Sequence, residues 1–90
     1  MTYKVLFSPH AVRQYKKLEP SVKPSVQAGI DTLQRAPLAG PKIKRLKGRL
    51  HTYYRYRVGD YRIVYAFVES ERVVYVDYIQ HRKDVYREIE

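Results

Sequence analysis

Two β-like runs on either side of the dipeptide Gly59-Asp60 constrain this chain more than any other feature. The stretch YYRYRVGDYRIVY, residues 53–65, is rich in tyrosine, valine and isoleucine, which favour strands. A two-residue connection with glycine first favours a type II′ hairpin turn, which sets Val58 opposite Tyr61 and fixes the register outward from that pair. Because side chains alternate between faces, one side of the hairpin carries tyrosines and Ile63, and the other carries arginines. The predicted arginine side comprises Tyr53, Arg55, Arg57, Arg62, Val64 and Ala66.

A third β-like run, from Val73 to Gln80, extends this sheet if Val68 pairs with Val73 across the next turn. If side chains alternate strictly from that pair onward, the residues of this run are divided between the two sides of the sheet. The tyrosine side gains Val74, Val76 and Tyr78, and the arginine side gains Tyr75, Asp77 and Ile79.

The N-terminal half predicts one strand and two helices. Residues 3–7, YKVLF, have strand character, and Ser8 followed by Pro9 is typical of a helix N-cap and first helical position. Apolar residues then recur twice at helical spacing, which predicts two helices joined by a short turn. The stripes are Ala11, Val12, Tyr15 and Leu18, then Val22, Val26, Ile30 and Leu33.

The predicted fold is therefore α+β, in a single domain over residues 1–90. An N-terminal strand and an antiparallel helix hairpin pack on a mainly antiparallel, twisted sheet, and a short C-terminal helix is expected around residues 84–89. The predicted core sets Tyr56, Ile63, Tyr65, Phe67, Val74 and Val76 against Val12, Tyr15, Val26, Ile30 and Leu33.

The charge of the chain predicts an anionic partner, with nucleic acid foremost. Lysine and arginine number 18 against nine acidic residues, for a formal net charge of +9. Residues 37–50 show no hydrophobic period, and within them PKIKRLKGR carries five basic residues and no acidic one. This predicts a basic loop; a solvated connector is the alternative. The predicted RNA-binding residues are Lys42, Lys44, Arg45, Lys47, Arg49 and Arg55.

Several classes of function are excluded by composition. The chain has no cysteine, which rules out disulfides and thiol catalysis, and its three histidines are too scattered for a metal site, so no metal or cofactor is expected. Its apolar runs fall short of the about 20 residues that a membrane span needs. A cytoplasmic protein is expected.

The arginine side of the sheet is suited to bind an anion. Arg57 lies opposite Arg62, and like charges in that position destabilise a sheet unless something neutralises them. Arginines whose stems lie over apolar neighbours on a solvated face are the alternative. In an antiparallel meander the end of the third strand comes near Arg62, so His81 and Arg82 are predicted to converge on it, together with Tyr86.

The order of elements and three motifs together resemble a known superfamily. The motifs are LKG at 46–48, YRYRVGDYRIVY at 54–65 and HRKDVY at 81–86. They resemble the RelE/ParE superfamily of toxins of type II toxin–antitoxin systems, specifically its RelE-like branch, over nearly the whole chain. The resemblance implies a ribosome-dependent endoribonuclease that cuts mRNA in the ribosomal A site. It also implies a RelB-like antitoxin that inactivates the toxin, and a toxin–antitoxin complex that binds operator DNA through the antitoxin.

Metal-free RNA cleavage uses the 2′-hydroxyl of the substrate as nucleophile and needs a base, an acid and cations around the phosphate. Arginines supply the cations but not the base, because the guanidinium group stays protonated in proteins. His81 is therefore the predicted base or acid, and Tyr86 is predicted to stack on a nucleobase or share the proton transfer. With the positions that the resemblance aligns, the predicted catalytic residues are Arg57, Arg62, His81, Arg82 and Tyr86.

Two other functions remain open. A ParE-like member would inhibit DNA gyrase by binding alone, and a basic module that binds RNA or the ribosome without cutting it would also account for the charge. The combination of Arg62, Arg82 and Tyr86 favours the RelE-like branch, since ParE-like toxins generally lack that set.

Overall fold

A five-stranded mixed sheet with two helices on one face forms the molecule. The computed structural model describes residues 2–38, 40–46 and 53–84. The elements in chain order are β1 (Lys4–Phe7), α1 (Pro9–Lys17), α2 (Lys23–Arg35), β2 (Ile43–Arg45), β3 (Tyr54–Val58), β4 (Tyr61–Val68) and β5 (Val73–His81). The sheet order is β1-β5-β4-β3-β2; β1 runs parallel to β5, and the other neighbours are antiparallel. The predicted α+β architecture is confirmed, and residues 82–84 are helical where the C-terminal helix was expected to begin.

The helix α1 begins where the sequence signals predicted, and α2 begins at Lys23. The Ser8 hydroxyl accepts a hydrogen bond from the Ala11 N–H at 3.0 Å, and Pro9 occupies the first turn of α1. Pro24 lies in the first turn of α2, where its missing N–H leaves no helical hydrogen bond unmade. Gly29 in the middle of α2 allows a close approach to the sheet, because a Cβ atom there would lie 3.0 Å from Tyr56 Cε1 and 3.1 Å from Val58 Cγ2.

The β3–β4 hairpin has the predicted register. Val58 pairs with Tyr61, Arg57 with Arg62, and the ladder continues to Tyr54 opposite Tyr65. Gly59 takes a positive φ of 57° and Asp60 does not, which is the combination of a type II′ turn.

A β-bulge at Asp77 overturns part of the predicted face assignment. Val76 pairs with Tyr65, but the next pair is Tyr78 with Val64, so Asp77 is an extra residue in β5. One extra residue moves every later side chain to the opposite face. Tyr78 therefore joins the arginine side and Ile79 joins the core; both were predicted the other way round.

The α1 helix supports this bulge. The Ser8 hydroxyl donates to the Asp77 carbonyl oxygen at 2.8 Å, and the Gln14 side-chain oxygen accepts from the Ile79 N–H at 2.7 Å. Backbone groups that the irregular ladder leaves unpaired are thus bonded to side chains of the helix.

The core lies between the helices and the tyrosine side of the sheet. Most of the predicted core is confirmed: Tyr65 at its centre has no exposed surface, and its hydroxyl donates to the Pro37 carbonyl oxygen at 2.5 Å. Val12 was predicted in the core and is exposed, and Phe67 packs at the edge. The buried core residues are Tyr3, Ala11, Leu18, Val26, Ile30, Leu33, Tyr56, Ile63, Tyr65, Val74, Val76 and Ile79.

The prediction of a basic loop is wrong for Ile43–Arg45, which form the edge strand β2. These residues pair with β3, and Ile43 packs beside the core opposite Tyr56. A three-residue strand with one β-branched residue is too short to give a period in the sequence, and its partner strand supplies the ladder.

Candidate nucleic-acid interface

The surface of the sheet away from the helices carries five of the eight predicted RNA-binding and catalytic residues that lie within the described ranges. Cross-strand partners share a face, so Lys44 lies beside Arg55, and Arg57 beside Arg62. We call this surface the cationic face. It comprises Lys44, Leu46, Tyr53, Arg55, Arg57, Arg62, Val64, Tyr78 and Gln80, with Lys42 at its edge. Arg82, which contacts the Gly59-Asp60 turn, is counted with this face as well.

Arg62 is the central cation of this face, and it is buried. It is 7% exposed, and its Nη1 atom donates to the carbonyl oxygens of Gly59 and Tyr61 at 2.8 and 2.9 Å. Among the described residues its Nε atom has no hydrogen-bond partner. The two carbonyl oxygens help to offset the like-charged pair with Arg57, and Arg62 is not on a solvated face, the alternative that the sequence left open.

Arg82 contacts the same turn. Its N–H donates to the Asp60 carbonyl oxygen at 2.8 Å, and its Nε atom lies 3.9 Å from Asp60 Oδ1. The side chain is half exposed, so this ion pair is weak and leaves the guanidinium available to a stronger anion. Arg62 and Arg82 thus both contact the Gly59-Asp60 turn.

The edge of the cationic face is held by one main-chain and one side-chain hydrogen bond from β3. Lys42 offers its carbonyl oxygen to the Arg57 N–H at 3.0 Å and to Arg55 Nη1 at 3.2 Å. Arg57 and Lys44 are exposed and free to reach a ligand by their long stems. Arg45 lies in register with Tyr54, on the helix side of the strand, so the structure does not bring it to this face.

His81 is not on the cationic face, contrary to the prediction. It pairs with Tyr61, and the two rings meet edge to face with centroids 5.5 Å apart on the helix side of the sheet. Its Nδ1 atom accepts from the Lys83 N–H at 3.3 Å, so in the neutral ring the proton resides on Nε2. The bulge at Asp77 is the cause, because it moves His81 to the helix side.

The same displacement brings Gln80 opposite Arg62, a residue that sequence reasoning missed. No local signal in the sequence marks the bulge, since Val76-Asp77-Tyr78 continues the polar–apolar alternation of a regular strand. Tyr86, Lys47 and Arg49 lie outside the described residues.

A small apolar cluster completes the cationic face beside its arginines. Leu46 and Val64 are buried, and the half-buried rings of Tyr53 and Tyr78 pack against them. Hydrogen bonding to the Asp77 carboxylate raises the pKa of the Tyr53 hydroxyl above its ordinary value, and burial raises it further. His10, at the start of α1, contacts the Tyr78 ring edge to face with centroids 5.1 Å apart.

Cations beside exposed aromatic rings can hold a phosphate and stack a nucleobase, which is what a single-stranded nucleic acid offers. Over the described ranges, no cluster of three or more histidine or acidic side chains suits a metal ion. Within those ranges, too, neither helix has the length and apolar character to span a membrane.

Comparisons with known proteins agree on one kind of relative. The family described as the ParE toxin of the type II toxin–antitoxin system parDE matches residues 5–86. A protein of Methanocaldococcus jannaschii named as a toxin, RelE1, is 30% identical over 89 residues, which cover 97% of this chain and 98% of the relative.

Two solved structures share the fold over most of the chain. The RelBE2 toxin–antitoxin complex of Mycobacterium tuberculosis contains a chain with a TM-score of 0.80 and 29% identity, covering 91% of this chain and 100% of that one. The RelE–RelB complex of Pyrococcus horikoshii gives a TM-score of 0.77 and 26% identity, with 91% and 97% covered.

Proposed function

Since the chain belongs to the RelE/ParE superfamily of toxins of type II toxin–antitoxin systems, we propose that it is a ribosome-dependent endoribonuclease that cuts mRNA without a metal ion. The observation that carries this proposal is the cluster of Arg57, Arg62 and Arg82 around the Gly59-Asp60 turn. The 2′-hydroxyl attacks the adjacent phosphorus, and negative charge builds up on the phosphoryl oxygens. Fixed cations at that point lower the barrier more than mobile ones would, because they need no reorganisation.

The three arginines are suited to different parts of this task. Arg62 is immobilised by two carbonyl oxygens, so it presents a preorganised positive charge. Arg57 and Arg82 are more exposed and can close on the phosphate when it arrives. Lys42, Lys44 and Arg55 then extend the positive surface along the neighbouring strands and would track the RNA backbone.

Proton transfer needs another group. Tyr86 keeps the role that the superfamily resemblance implies, stacking on a base or sharing the proton. The geometry of His81 does not support it as the base on the cationic face, since its ring lies on the helix side and its Nδ1 accepts from Lys83.

A cognate antitoxin is the proposed protein partner. The relatives from M. tuberculosis and P. horikoshii are seen in toxin–antitoxin complexes, the second with RelB. A RelB-like antitoxin would neutralise this chain and, as part of the complex, bind operator DNA. The proposed site of action is the cytoplasm, where translating ribosomes are found.

A ParE-like function is the second candidate, because the matching family is described as the ParE toxin. Such a protein would inhibit DNA gyrase by binding, without cleaving RNA. A gyrase inhibitor has no need for a buried, preorganised arginine on an open sheet face, and this feature favours the nuclease.

One pair of assays separates these functions. The purified protein is added to translating ribosomes and new mRNA 5′ ends are mapped, and in parallel it is added to a gyrase supercoiling reaction. The nuclease proposal expects new ends inside codons with wild type, their loss with Arg82→Ala, and normal supercoiling. Inhibited supercoiling without new mRNA ends would establish the ParE-like function, and an effect in neither assay would leave a non-catalytic binding module.

A further inference from the structure

One end of the cationic face has a chemistry that phosphate binding does not explain. The bulge in β5 turns Asp77 towards the same side as Tyr78, so a carboxylate enters a surface whose other charged groups are lysines and arginines. The carboxylate accepts a hydrogen bond from the Tyr53 hydroxyl. An anion here weakens the attraction for a phosphate, so the Asp77 end suits a different part of a nucleotide.

The two tyrosine rings next to this carboxylate suit the flat face of a base. Tyr53 and Tyr78 rest on the buried side chains of Leu46 and Val64, which fixes the rings, and each ring keeps part of its surface exposed. Stacking on such rings is favourable for every nucleobase. The rings therefore supply affinity, and Asp77 is placed to supply selectivity.

The distance from the arginines fits a neighbouring nucleotide of the same strand. Tyr53 is two residues from Arg55 and four from Arg57, or about 7 and 14 Å along the strand. A phosphate held between Arg57 and Arg62 thus leaves the base of a neighbouring nucleotide within reach of Tyr53 and Asp77.

We propose that Tyr53, Asp77 and Tyr78 form a nucleobase subsite that selects guanine in the bound RNA strand. This inference rests on the proposed function, since it assumes that RNA lies on the cationic face. An ionised carboxylate only accepts hydrogen bonds, and one of its oxygens is shared with the Tyr53 hydroxyl. Guanine presents two adjacent donors, N1–H and the N2 amino group, on its Watson–Crick edge.

The other bases match this carboxylate less well. Adenine and cytosine each place one amino donor beside a ring nitrogen acceptor, which repels a carboxylate. Uracil places its single N–H donor between two carbonyl acceptors. Discrimination through a good two-point contact is worth about tenfold or more.

Binding of short RNA strands tests the subsite directly. The probes are oligouridine strands that carry a single guanosine, inosine or adenosine at one position. They have 2′-O-methyl groups throughout, so that the nucleophile of the cleavage reaction is blocked. The affinity of the protein for each strand is measured by fluorescence anisotropy. Inosine lacks only the N2 amino group of guanosine. Wild type should bind the guanosine strand about tenfold more tightly than the inosine or adenosine strand.

Two variants decide whether Asp77 is responsible. Asp77→Asn should bring the guanosine and inosine strands to equal affinity, whereas Asp84→Asn, which removes the same charge from an exposed residue beyond β5, should keep the preference. Tyr53→Phe should keep stacking and most of the preference. A thermal melt of each variant checks that it is folded.

Equal affinity of wild type for all three strands would overturn the guanine subsite while leaving RNA binding intact. A preference that survives in Asp77→Asn would also overturn it. Failure to bind any strand would overturn the subsite too, and cleavage on programmed ribosomes, measured separately, would still decide whether the protein is a nuclease.

Discussion

Arg62 has a structural role in the hairpin and, in the proposed mechanism, a chemical role as well. Its guanidinium closes the hairpin turn through two carbonyl oxygens and at the same time places a buried positive charge beside Arg57. A residue that is required for both folding and catalysis gives an ambiguous result when it is replaced. The neighbouring Arg82, which is half exposed, provides the comparison that separates the two roles.

We expect Arg62→Ala to destabilise the protein by about 1–3 kcal/mol, because two charge-assisted hydrogen bonds are lost and the carbonyl oxygens of Gly59 and Tyr61 lose a donor. Arg82→Ala should change the free energy of unfolding by less than about 1 kcal/mol, since its ion pair with Asp60 is solvated. Urea denaturation of both variants measures this. Equal losses of stability would show that Arg62 is not anchored as described.

His81, the last residue of β5, and Arg82, which follows it, provide a test of the bulge. His81 lies on the helix side, so His81→Ala should slow mRNA cleavage on ribosomes by less than about threefold, whereas Arg82→Ala should slow it by about 10²–10³-fold, the usual loss for one donor to transition-state charge. A loss for His81→Ala of about 10²-fold or more would restore the imidazole as the base.

At the scale of elements, α1 and the irregular strand β5 depend on each other. Ser8 caps α1 through its acceptor oxygen and donates its hydroxyl proton to the carbonyl of the bulged Asp77. The same residue therefore fixes the start of the helix and the point where β5 changes its alternation. The orientation of Tyr78 and Gln80 on the cationic face follows from this contact.

Ser8→Ala should destabilise the protein by about 1–2 kcal/mol, at the upper end of the values for a lost N-cap, because the bulge loses a hydrogen bond as well. Ser25→Ala, at an exposed position in α2, is the matched control and should have little effect. Thermal denaturation of the two variants compares them, and similar melting temperatures would contradict the coupling of helix and bulge.

Close packing of α2 on the sheet predicts an unusual result for Gly29. Alanine normally stabilises a helix by about 1 kcal/mol relative to glycine. Here its methyl group would lie 3.0 Å from Tyr56 and 3.3 Å from Ile63, so we expect Gly29→Ala to destabilise the fold by about 1 kcal/mol net. Ala28→Gly, next to it on the exposed side, should show the ordinary loss of helix propensity. Stabilisation by Gly29→Ala in urea denaturation would show that the helix can move away from the sheet.

At the scale of the whole molecule, the sequence predicted the parts of the fold that short-range chemistry decides. Gly59-Asp60 fixes the hairpin register, and Ser8-Pro9 fixes the start of α1. The bulge at Asp77 could not be predicted, because its cause is a contact with a helix 69 residues earlier in the chain. The hairpin register places Arg57 and Arg62 on the cationic face, as predicted. His81 follows the bulge, so its face was predicted wrongly.

Buried and hydrogen-bonded tyrosines make the stability of the molecule sensitive to alkali. Burial raises the pKa of Tyr65 above its ordinary value of 10.0. Below that pH the hydroxyl is protonated in both states, and as pH rises further the unfolded chain loses the proton first, so stability is lost. The pKa values of Tyr3, Tyr53 and Tyr75 are raised as well.

We expect the free energy of unfolding to fall more steeply between pH 9 and 11 in wild type than in Tyr65→Phe, which has no ionisable hydroxyl at this position. Urea denaturation at each pH measures the free energy of unfolding of the two proteins. The titration of the lysines contributes equally to both values and is removed when one is subtracted from the other. Parallel pH profiles would show that the Tyr65 hydroxyl is not held in a buried environment.

We propose that the arginines of the cationic face stabilise the transition state of mRNA cleavage. Single-turnover cleavage on programmed ribosomes tests this proposal most directly. Arg57→Ala and Arg82→Ala should each lower the rate by about 10²–10³-fold while binding of the toxin to the ribosome persists. Arg13→Ala, which removes the same charge from an exposed position on α1, should stay within about twofold of wild type. Wild-type rates in both cationic-face variants, or equal losses in all three proteins, would contradict the account.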